Sequence, residues 1–263
     1  MLGLVEPTPY DWRFRLFGIP VRVHPFFWLM AALLSGADTD LRFVVIFVAC
    51  VFVSIMVHEF GHGLMARALS LTAHEIVLYW MGGYCLSEND RHRPWSRLAV
   101  LAAGPGAGFV LCGLIILGYR LFLGVPITDA IAVCQIVFGV DNPASLSTRF
   151  YMLALPVKNT YSVMIFVNLL WGVANLLPIL PLDGGQITEV LLTQQNPRQG
   201  IRRANIVSLL TAGSLAFVFF KSNQFVTGLW CALFAFRNYQ VLQAFHQAAR
   251  YEQDEDDADW WKR

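Results

Sequence analysis

Two histidines and a glutamate stand close together in the sequence, as His58, Glu59 and His62 in the pattern His-Glu-x-x-His. On an α-helix, residues four positions apart project about 40° from each other, so both imidazoles face the same side. Two imidazoles in this arrangement can share one zinc ion, and the glutamate beside them can exchange protons with a water molecule. The spacing therefore predicts a zinc-dependent hydrolytic site. The alternative is a pair of core histidines satisfied by ordinary hydrogen bonds.

The pattern lies inside a long apolar run, residues 41–69, rather than in a polar segment. A charged group in the middle of a membrane-spanning helix costs about 3 kcal/mol on insertion scales, and such groups usually have a function. This setting favours a metal site over the structural alternative. At 1.5 Å per residue, His58 lies about 25 Å from the start of the run, near its far end.

The composition is that of a membrane protein. Of 263 residues, 56% are hydrophobic and 14% are charged, whereas a soluble domain carries about 25% charged residues. The net charge of +1 gives no basis for a nucleic-acid partner. The five cysteines are scattered and never spaced as Cys-x-x-Cys, so we interpret them as apolar filler. We therefore predict a multi-pass integral membrane protein in contact with the lipid bilayer.

Six apolar segments are predicted to cross the bilayer as helices. The first is short for a span, which needs about 20 residues. A further apolar stretch, 131–140, is shorter still and predicts a peripheral amphipathic helix on the outer side. The predicted spans are residues 25–36, 41–69, 96–123, 159–177, 204–220 and 224–246.

These segments divide the chain into three predicted parts. Residues 1–24 are expected to form a cytoplasmic amphipathic hairpin, and residues 25–246 a six-helix intramembrane domain. Residues 247–263 carry a run of acidic side chains and are expected to form a solvated, disordered cytoplasmic tail. The alternative for the tail is a segment that docks a partner.

Two stretches outside the spans predict β-hairpins. Residues 13–24 alternate apolar and basic types around a Gly-Ile-Pro break, and residues 72–90 are rich in β-formers around Gly82 and Gly83. An open strand edge there could bind an extended substrate by backbone pairing, which makes the two glycines candidate substrate-binding residues. An ordinary interfacial loop is equally consistent. The predicted fold class is an all-α polytopic membrane protein with about six transmembrane helices and a small membrane-associated β-hairpin or sheet near the active site.

Arginines outside the spans predict which side of the membrane the motif faces. Cytoplasmic loops carry an excess of Lys and Arg. Arginines occur in the first hairpin, at the exit of the second span and after the fourth span. A bacterial cytoplasmic membrane, with the site towards the cytoplasm, is the default expectation. The arginines concerned are Arg13, Arg15, Arg22, Arg67, Arg91, Arg93, Arg97, Arg198, Arg202 and Arg203.

A zinc ion held by two histidines needs a third protein ligand, which leaves one coordination position for water. Asp183 is the best candidate, because it follows the fourth span, whose end is broken by Pro178 and Pro181. Alternating topology puts this end on the same side as the exit of the second span. An aspartate at a helix end is often only a cap, which is the alternative interpretation of Asp183.

Two separated motifs resemble those of one family, the site-2 proteases, which are intramembrane zinc metalloproteases. The resemblance covers roughly residues 12–245, in a minimal form without a PDZ or CBS domain. It implies one zinc ion per chain held by His58, His62 and Asp183, with Glu59 as catalytic acid/base and Asn175 lining the site. The two motifs are His58-Glu59-Phe60-Gly61-His62 and Asn175-x-x-Pro178-x-x-Pro181-Leu182-Asp183-Gly184.

The resemblance implies hydrolysis of peptide bonds in or near transmembrane segments of membrane-anchored substrates, as in regulated intramembrane proteolysis. It does not predict an oligomeric state. One position departs from the family pattern: members often carry Gly-Pro-x-x-Asn in the third span, and this chain has Gly108 in place of the asparagine. That departure motivates an alternative, a catalytically silent membrane protein that binds client helices. A metal transporter ranks last, because it needs ionisable groups along a path through the bilayer.

Overall fold

A computed structural model describes residues 5–36, 40–88, 93–137 and 145–258. The chain divides into two compact units, residues 1–174 and 175–263. The first unit contains four strands and most of the helices, and the second contains the last three helices. In chain order the elements are β1 (Trp12–Leu16), β2 (Ile19–Val23), α1 (Pro25–Leu34), α2 (Leu41–Ala68), β3 (Ala73–Tyr79), β4 (Gly82–Ser87), α3 (Pro94–Leu123), α4 (Thr128–Val137), α5 (Thr148–Tyr151), α6 (Leu155–Asn175), α7 (Asp183–Thr193), α8 (Pro197–Lys221) and α9 (Phe225–Ala258).

Three of the described helices, α2, α3 and α8, are long and apolar enough to cross a membrane. Helix α2 has 28 residues, so it is about 42 Å long and exceeds a hydrocarbon layer of roughly 30 Å. Helix α3 continues through Pro105, although proline removes one backbone hydrogen bond inside a helix. The helix predicted near residues 131–140 is confirmed as α4, while residues 138–140 lie outside the described part of the chain. Its peripheral position on the outer side of the membrane stays a prediction.

The prediction of six spans is not confirmed. Helix α1 has only 10 residues, about 15 Å, which is half of the hydrocarbon thickness. Its start is fixed by Pro25 at the first helical position and by His24, whose Nδ1 accepts a hydrogen bond from the Phe26 amide at 3.2 Å. His24 is therefore the N-cap residue of α1. Helices α6 and α9 lie where the fourth and sixth spans are predicted, but neither is among the three that qualify.

The acidic segment at the end of the chain differs from its prediction as well. Helix α9 continues to Ala258, so residues 247–258 have a helical backbone rather than a disordered one. The helix can extend this far because the segment contains no proline or glycine to end it. The predicted division at residues 24 and 246 stays a prediction.

Both predicted hairpins are confirmed. Strands β1 and β2 pair antiparallel around a two-residue turn at Phe17 and Gly18, whose φ angles of 51° and 75° are those of a type I′ turn. Strands β3 and β4 pair antiparallel from Ala73–Ser87 to Tyr79–Gly82. The sequence does not predict that β2 also pairs with β3, in parallel, and so joins the hairpins into one sheet of order β1-β2-β3-β4.

The sheet packs on the apolar helices through its central strands. Ile19, Val21 and Val23 of β2 and Ile76 and Leu78 of β3 are buried in one cluster with residues of α1 and α2. Burying such side chains stabilises the fold by about 1.5–3 kcal/mol each. The sheet is therefore fixed against the part of α2 that carries the candidate metal ligands.

Arg22 has a structural role that the sequence does not predict. It is buried at 6% exposure and forms ion pairs with Asp11 at 3.3 Å and Glu75 at 3.4 Å, and it donates to the carbonyl oxygen of Val5 at 3.0 Å. Burial alone would raise the pKa of Asp11, but hydrogen bonds from Thr8 and the Arg22 guanidinium outweigh it and lower that pKa. Arg22 therefore ties the N-terminal segment to the sheet. The membrane orientation inferred from the arginines stays a prediction.

Candidate metal centre

The His-Glu-x-x-His segment lies on α2, where all three functional side chains are buried: His58, Glu59 and His62 are 4%, 4% and 7% exposed. The Nε2 atoms of the two histidines are 3.2 Å apart. Two nitrogens that bind one tetrahedral zinc ion at 2.0–2.1 Å are about 3.3 Å apart. The spacing of the two ring nitrogens therefore fits a shared zinc ion.

The protonation of His62 also fits a metal ligand. Its Nδ1 lies 2.7 Å from the carbonyl oxygen of Val100 on α3. A carbonyl oxygen only accepts hydrogen bonds, so Nδ1 carries the proton and donates it. The lone pair of His62 is then on Nε2, the atom that faces His58. A main-chain group of α3 thus sets the tautomer and the ring orientation of a residue on α2.

Helix α3 can lie this close to α2 because small residues line the contact. A Cβ atom at Gly104 would collide with the ring of His62, and a Cβ atom at Gly61 would collide with the carbonyl oxygen of Ala103. Small residues at a helix contact allow close approach of two helices in this way. Gly104 is a supporting residue that the metal-ligand pattern alone does not reveal.

The two candidate substrate-binding glycines have different neighbours. A Cβ atom at Gly83 would lie 2.7 Å from both Cγ and Oε1 of Glu59, so this residue of β4 rests directly on the candidate acid/base. At Gly82, with φ +124°, a Cβ atom would lie 2.6 Å from the Trp171 ring. The first two residues of β4 therefore lie against α6 and α2 of the same unit. Because Gly83 has no side chain, the side chain of Glu59 can occupy the space beside it.

Asp183 lies in the second unit, as the first residue of α7. The residue in the N-cap position is Leu182, so Asp183 is not the cap that the alternative interpretation requires. Asp183 is 8% exposed, and a carboxylate in the first turn is stabilised by the positive end of the helix dipole. Cβ atoms at Gly184 and Gly185 would collide with the backbone of residues 176, 177, 179 and 180. The absence of side chains at the two glycines therefore allows the start of α7 to pack tightly on the preceding segment.

Two polar side chains of the last helices hold the segment before Asp183. The Leu180 amide donates to Ser208 Oγ at 3.0 Å, and Asn238 Nδ2 donates to the Leu180 carbonyl oxygen at 2.9 Å. Ser208 and Asn238 are 0% and 1% exposed. The sequence points to Ser208 and Asn238 only because each is a polar residue within an apolar helix. Asn175, which ends α6, is also buried at 9% exposure, and its role in lining the site stays a prediction.

Comparison with known proteins places these motifs in a family context. A family model described as peptidase family M50 matches residues 46–220, a range that contains both motifs. A protein of Synechocystis sp. that is provisionally named a zinc metalloprotease is 30% identical over 207 residues, which are 73% of this chain and 47% of that protein. Stage IV sporulation protein FB of Bacillus subtilis is 27% identical over 195 residues, 73% of this chain and 54% of that protein.

A solved structure has the same fold. The site-2 protease from Methanocaldococcus jannaschii matches with a TM-score of 0.55 and 20% sequence identity, over 89% of this chain and 95% of that chain. The chain spans about half the length of the curated relatives that it matches.

Replacing Gly104 by alanine tests the support of His62. The added Cβ atom has no room beside the His62 ring, so Gly104→Ala is expected to push the ring off the shared position and weaken zinc binding at least tenfold. The measurement is a zinc titration of the purified protein in detergent.

Gly106→Ala is the matched control. It adds the same methyl group two residues along α3, where a Cβ atom would have no neighbour within 4 Å. Zinc affinity equal in Gly104→Ala, Gly106→Ala and the unmodified protein would show that His62 does not bind the metal in this orientation.

Proposed function

Because this chain belongs to peptidase family M50, the site-2 protease family, we propose that it is an intramembrane zinc metalloprotease. Its substrates are membrane-anchored proteins, cleaved at peptide bonds in or near their transmembrane segments, as in regulated intramembrane proteolysis. The observation that carries the proposal is the pair of buried Nε2 atoms 3.2 Å apart on a helix that is long and apolar enough to span a membrane, with Glu59 beside them.

One zinc ion per chain is held by His58, His62 and Asp183. Each of these residues is buried and offers one ligand atom. The family model that matches the chain covers the segments of all three, and the N-cap residue of α7 is Leu182 rather than Asp183. Three protein ligands leave the fourth tetrahedral position for water or substrate, as in catalytic zinc sites.

When bound, zinc supplies a Lewis acid that polarises the scissile carbonyl and lowers the pKa of water towards about 7. Glu59 takes the proton of the attacking water and later gives one to the leaving amine. Gly83 rests on Oε1 and Cγ of Glu59, so the carboxylate is held in one place while the proton moves. The His62–Val100 hydrogen bond keeps a ligand lone pair on Nε2 throughout.

The substrate binds along β4. This strand is the last in the sheet order, so one edge of its backbone is not paired within the described sheet. An extended peptide can add to such an edge through main-chain hydrogen bonds. Gly83 lies in β4 and rests on Glu59, so a peptide on this edge passes next to the acid/base. Asn175 lines the site, and the site faces the cytoplasm of a bacterial cell.

A second candidate function is a proteolytically silent protein that binds client helices. Gly108, where the family pattern has asparagine, is the observation behind it. Against it stand the retained histidines, glutamate and aspartate, which a binding protein does not need. Stoichiometric zinc in the purified protein would favour the enzyme, and its absence would favour the binding protein.

Glu59→Gln tests the acid/base role. Glutamine keeps the size of the side chain but cannot accept the proton, so cleavage of a membrane-anchored peptide is expected to fall by 10²–10⁴-fold, with zinc content unchanged. The readouts are cleavage in proteoliposomes and zinc content of the same preparation.

The control for this change is Glu6→Gln, the same substitution at an exposed site near the start of the chain. It should cleave at the unmodified rate. Unreduced turnover by Glu59→Gln would remove this residue from the mechanism.

Asp183→Ala tests the third ligand. Loss of one of three protein ligands is expected to weaken zinc binding by more than about 100-fold, the upper end of what losing an outer-shell partner costs. Asp40→Asn, which changes an exposed aspartate before α2, should bind zinc as the unmodified protein does. Equal affinity in all three proteins would contradict the assignment of Asp183.

A further inference from the structure

The His-Glu-x-x-His segment of α2 is held from two sides within the first unit. On one side lies α3, where His62 bonds to the carbonyl oxygen of Val100. On the other side lies the four-stranded sheet, where Glu59 rests against Gly83 of β4. A candidate metal ligand is thus supported by α3 and the acid/base by the sheet. The distance between the acid/base and the metal ligands therefore depends on how α2 is held against the sheet.

The turn between β1 and β2 contacts this sheet-facing side of α2 at two points. The ring of Phe17 meets the ring of Phe60 edge to face, with centroids 5.7 Å apart and planes at 86°. The guanidinium of Arg67 donates to the carbonyl oxygen of Phe17. Edge-to-face ring pairs are favourable beyond the area that they bury. The two contacts lie about 10 Å apart along α2, and the first is made by the residue that directly follows Glu59.

Phenylalanine is a poor choice for the position that Phe17 occupies. It is the first residue of a two-residue type I′ turn, and its φ angle is 51°. This left-handed region suits glycine, asparagine and aspartate, whereas a bulky side chain is strained there. Burial does not explain the residue either, because Phe17 is 66% exposed. The ring contact with Phe60 is the interaction that calls for an aromatic side chain in this turn.

We propose that Phe17 is a positioning residue of the active site. Its ring holds Phe60, and Arg67 fixes the turn that carries this ring. The stretch of α2 beside Phe60 then keeps Glu59 against Gly83 and at a constant distance from the metal ligands. Phe17 acts through Phe60 and takes no part in the chemistry itself. This assignment rests on the proposed protease function, and it adds to the reaction a residue that lies outside both sequence motifs.

Phe17→Asn separates the positioning role from a role in stability. The change removes the ring, and it places a favoured residue at the strained position of the turn. Because α2 loses a contact beside Glu59, kcat for a membrane-anchored peptide in proteoliposomes is expected to fall about 10-fold, with KM and zinc content unchanged. The melting temperature is expected not to fall, since the relief of backbone strain offsets the lost ring contact.

Two further variants show whether the ring itself is needed. Phe17→Tyr keeps the aromatic ring and should keep the kcat of the unmodified protein. Phe17→Leu keeps an apolar side chain that can contact lipid, but it has no ring edge for Phe60, so its kcat should fall as in Phe17→Asn. Tyr10→Asn is the matched control, because it changes an aromatic residue of a neighbouring turn that is 84% exposed. It should cleave at the unmodified rate.

A double-mutant cycle tests whether Phe17 acts through Phe60. Phe60→Leu alone should lower kcat by a similar factor, and Phe17→Asn in the Phe60→Leu background should cost nothing more, because the contact is already lost. Zinc content equal to that of the unmodified protein shows that each variant keeps the fold of the site. Losses that multiply in the double variant would show that the two residues act independently, which overturns the proposal.

The outcomes separate the positioning role from the function on which it rests. An unmodified protein that holds no zinc and cleaves no peptide overturns the proposed function and the role of Phe17 together. A protein that cleaves with the same kcat in Phe17→Asn and Phe17→Leu overturns the role of Phe17 alone. A parallel fall of kcat and melting temperature across the Phe17 variants overturns it as well, because Phe17 would then only stabilise the fold.

Discussion

The hydrogen bond from His62 Nδ1 to the carbonyl oxygen of Val100 is the contact on which the candidate site depends. It sets the tautomer of a candidate metal ligand, and it requires α2 and α3 to lie close together. That proximity in turn requires the absence of a side chain at Gly104. The carbonyl oxygen of Val100 therefore couples the packing of α2 against α3 to the presence of a lone pair on His62 Nε2.

Polar groups in apolar helices are costly, and here they bond to a neighbouring helix or to a connecting segment. Ser54 of α2 accepts from Asn168 of α6, and Ser208 of α8 and Asn238 of α9 both bind the backbone of Leu180, between α6 and α7. These bonds satisfy polar groups that lipid cannot. The same bonds fix the helices in register, so the residues that reduce the cost of burial also position the segments that carry the chemistry.

The local parts of the structure could be predicted from the sequence. The histidines share a face because four residues make about one helical turn, and the hairpins follow from alternation and turn residues. The parallel pairing of β2 with β3 could not, because two helices separate the strands. The burial of Arg22 in ion pairs and the shortness of α1 could not be predicted for the same reason, because both depend on the residues that pack around them. The orientation of Asn168 depends on which face of α6 meets α2, and no local pattern reports that.

The two bonds to Leu180 set a lower limit on how far the protein can be shortened or transplanted into another scaffold. A fragment that ends after α7 would keep both histidines, the glutamate and the aspartate. It would lack Ser208 and Asn238, which hold the amide and the carbonyl group of Leu180, three positions before the aspartate. A fragment that keeps this support must therefore extend beyond Asp183 and include Ser208 and Asn238, which bond the backbone of Leu180.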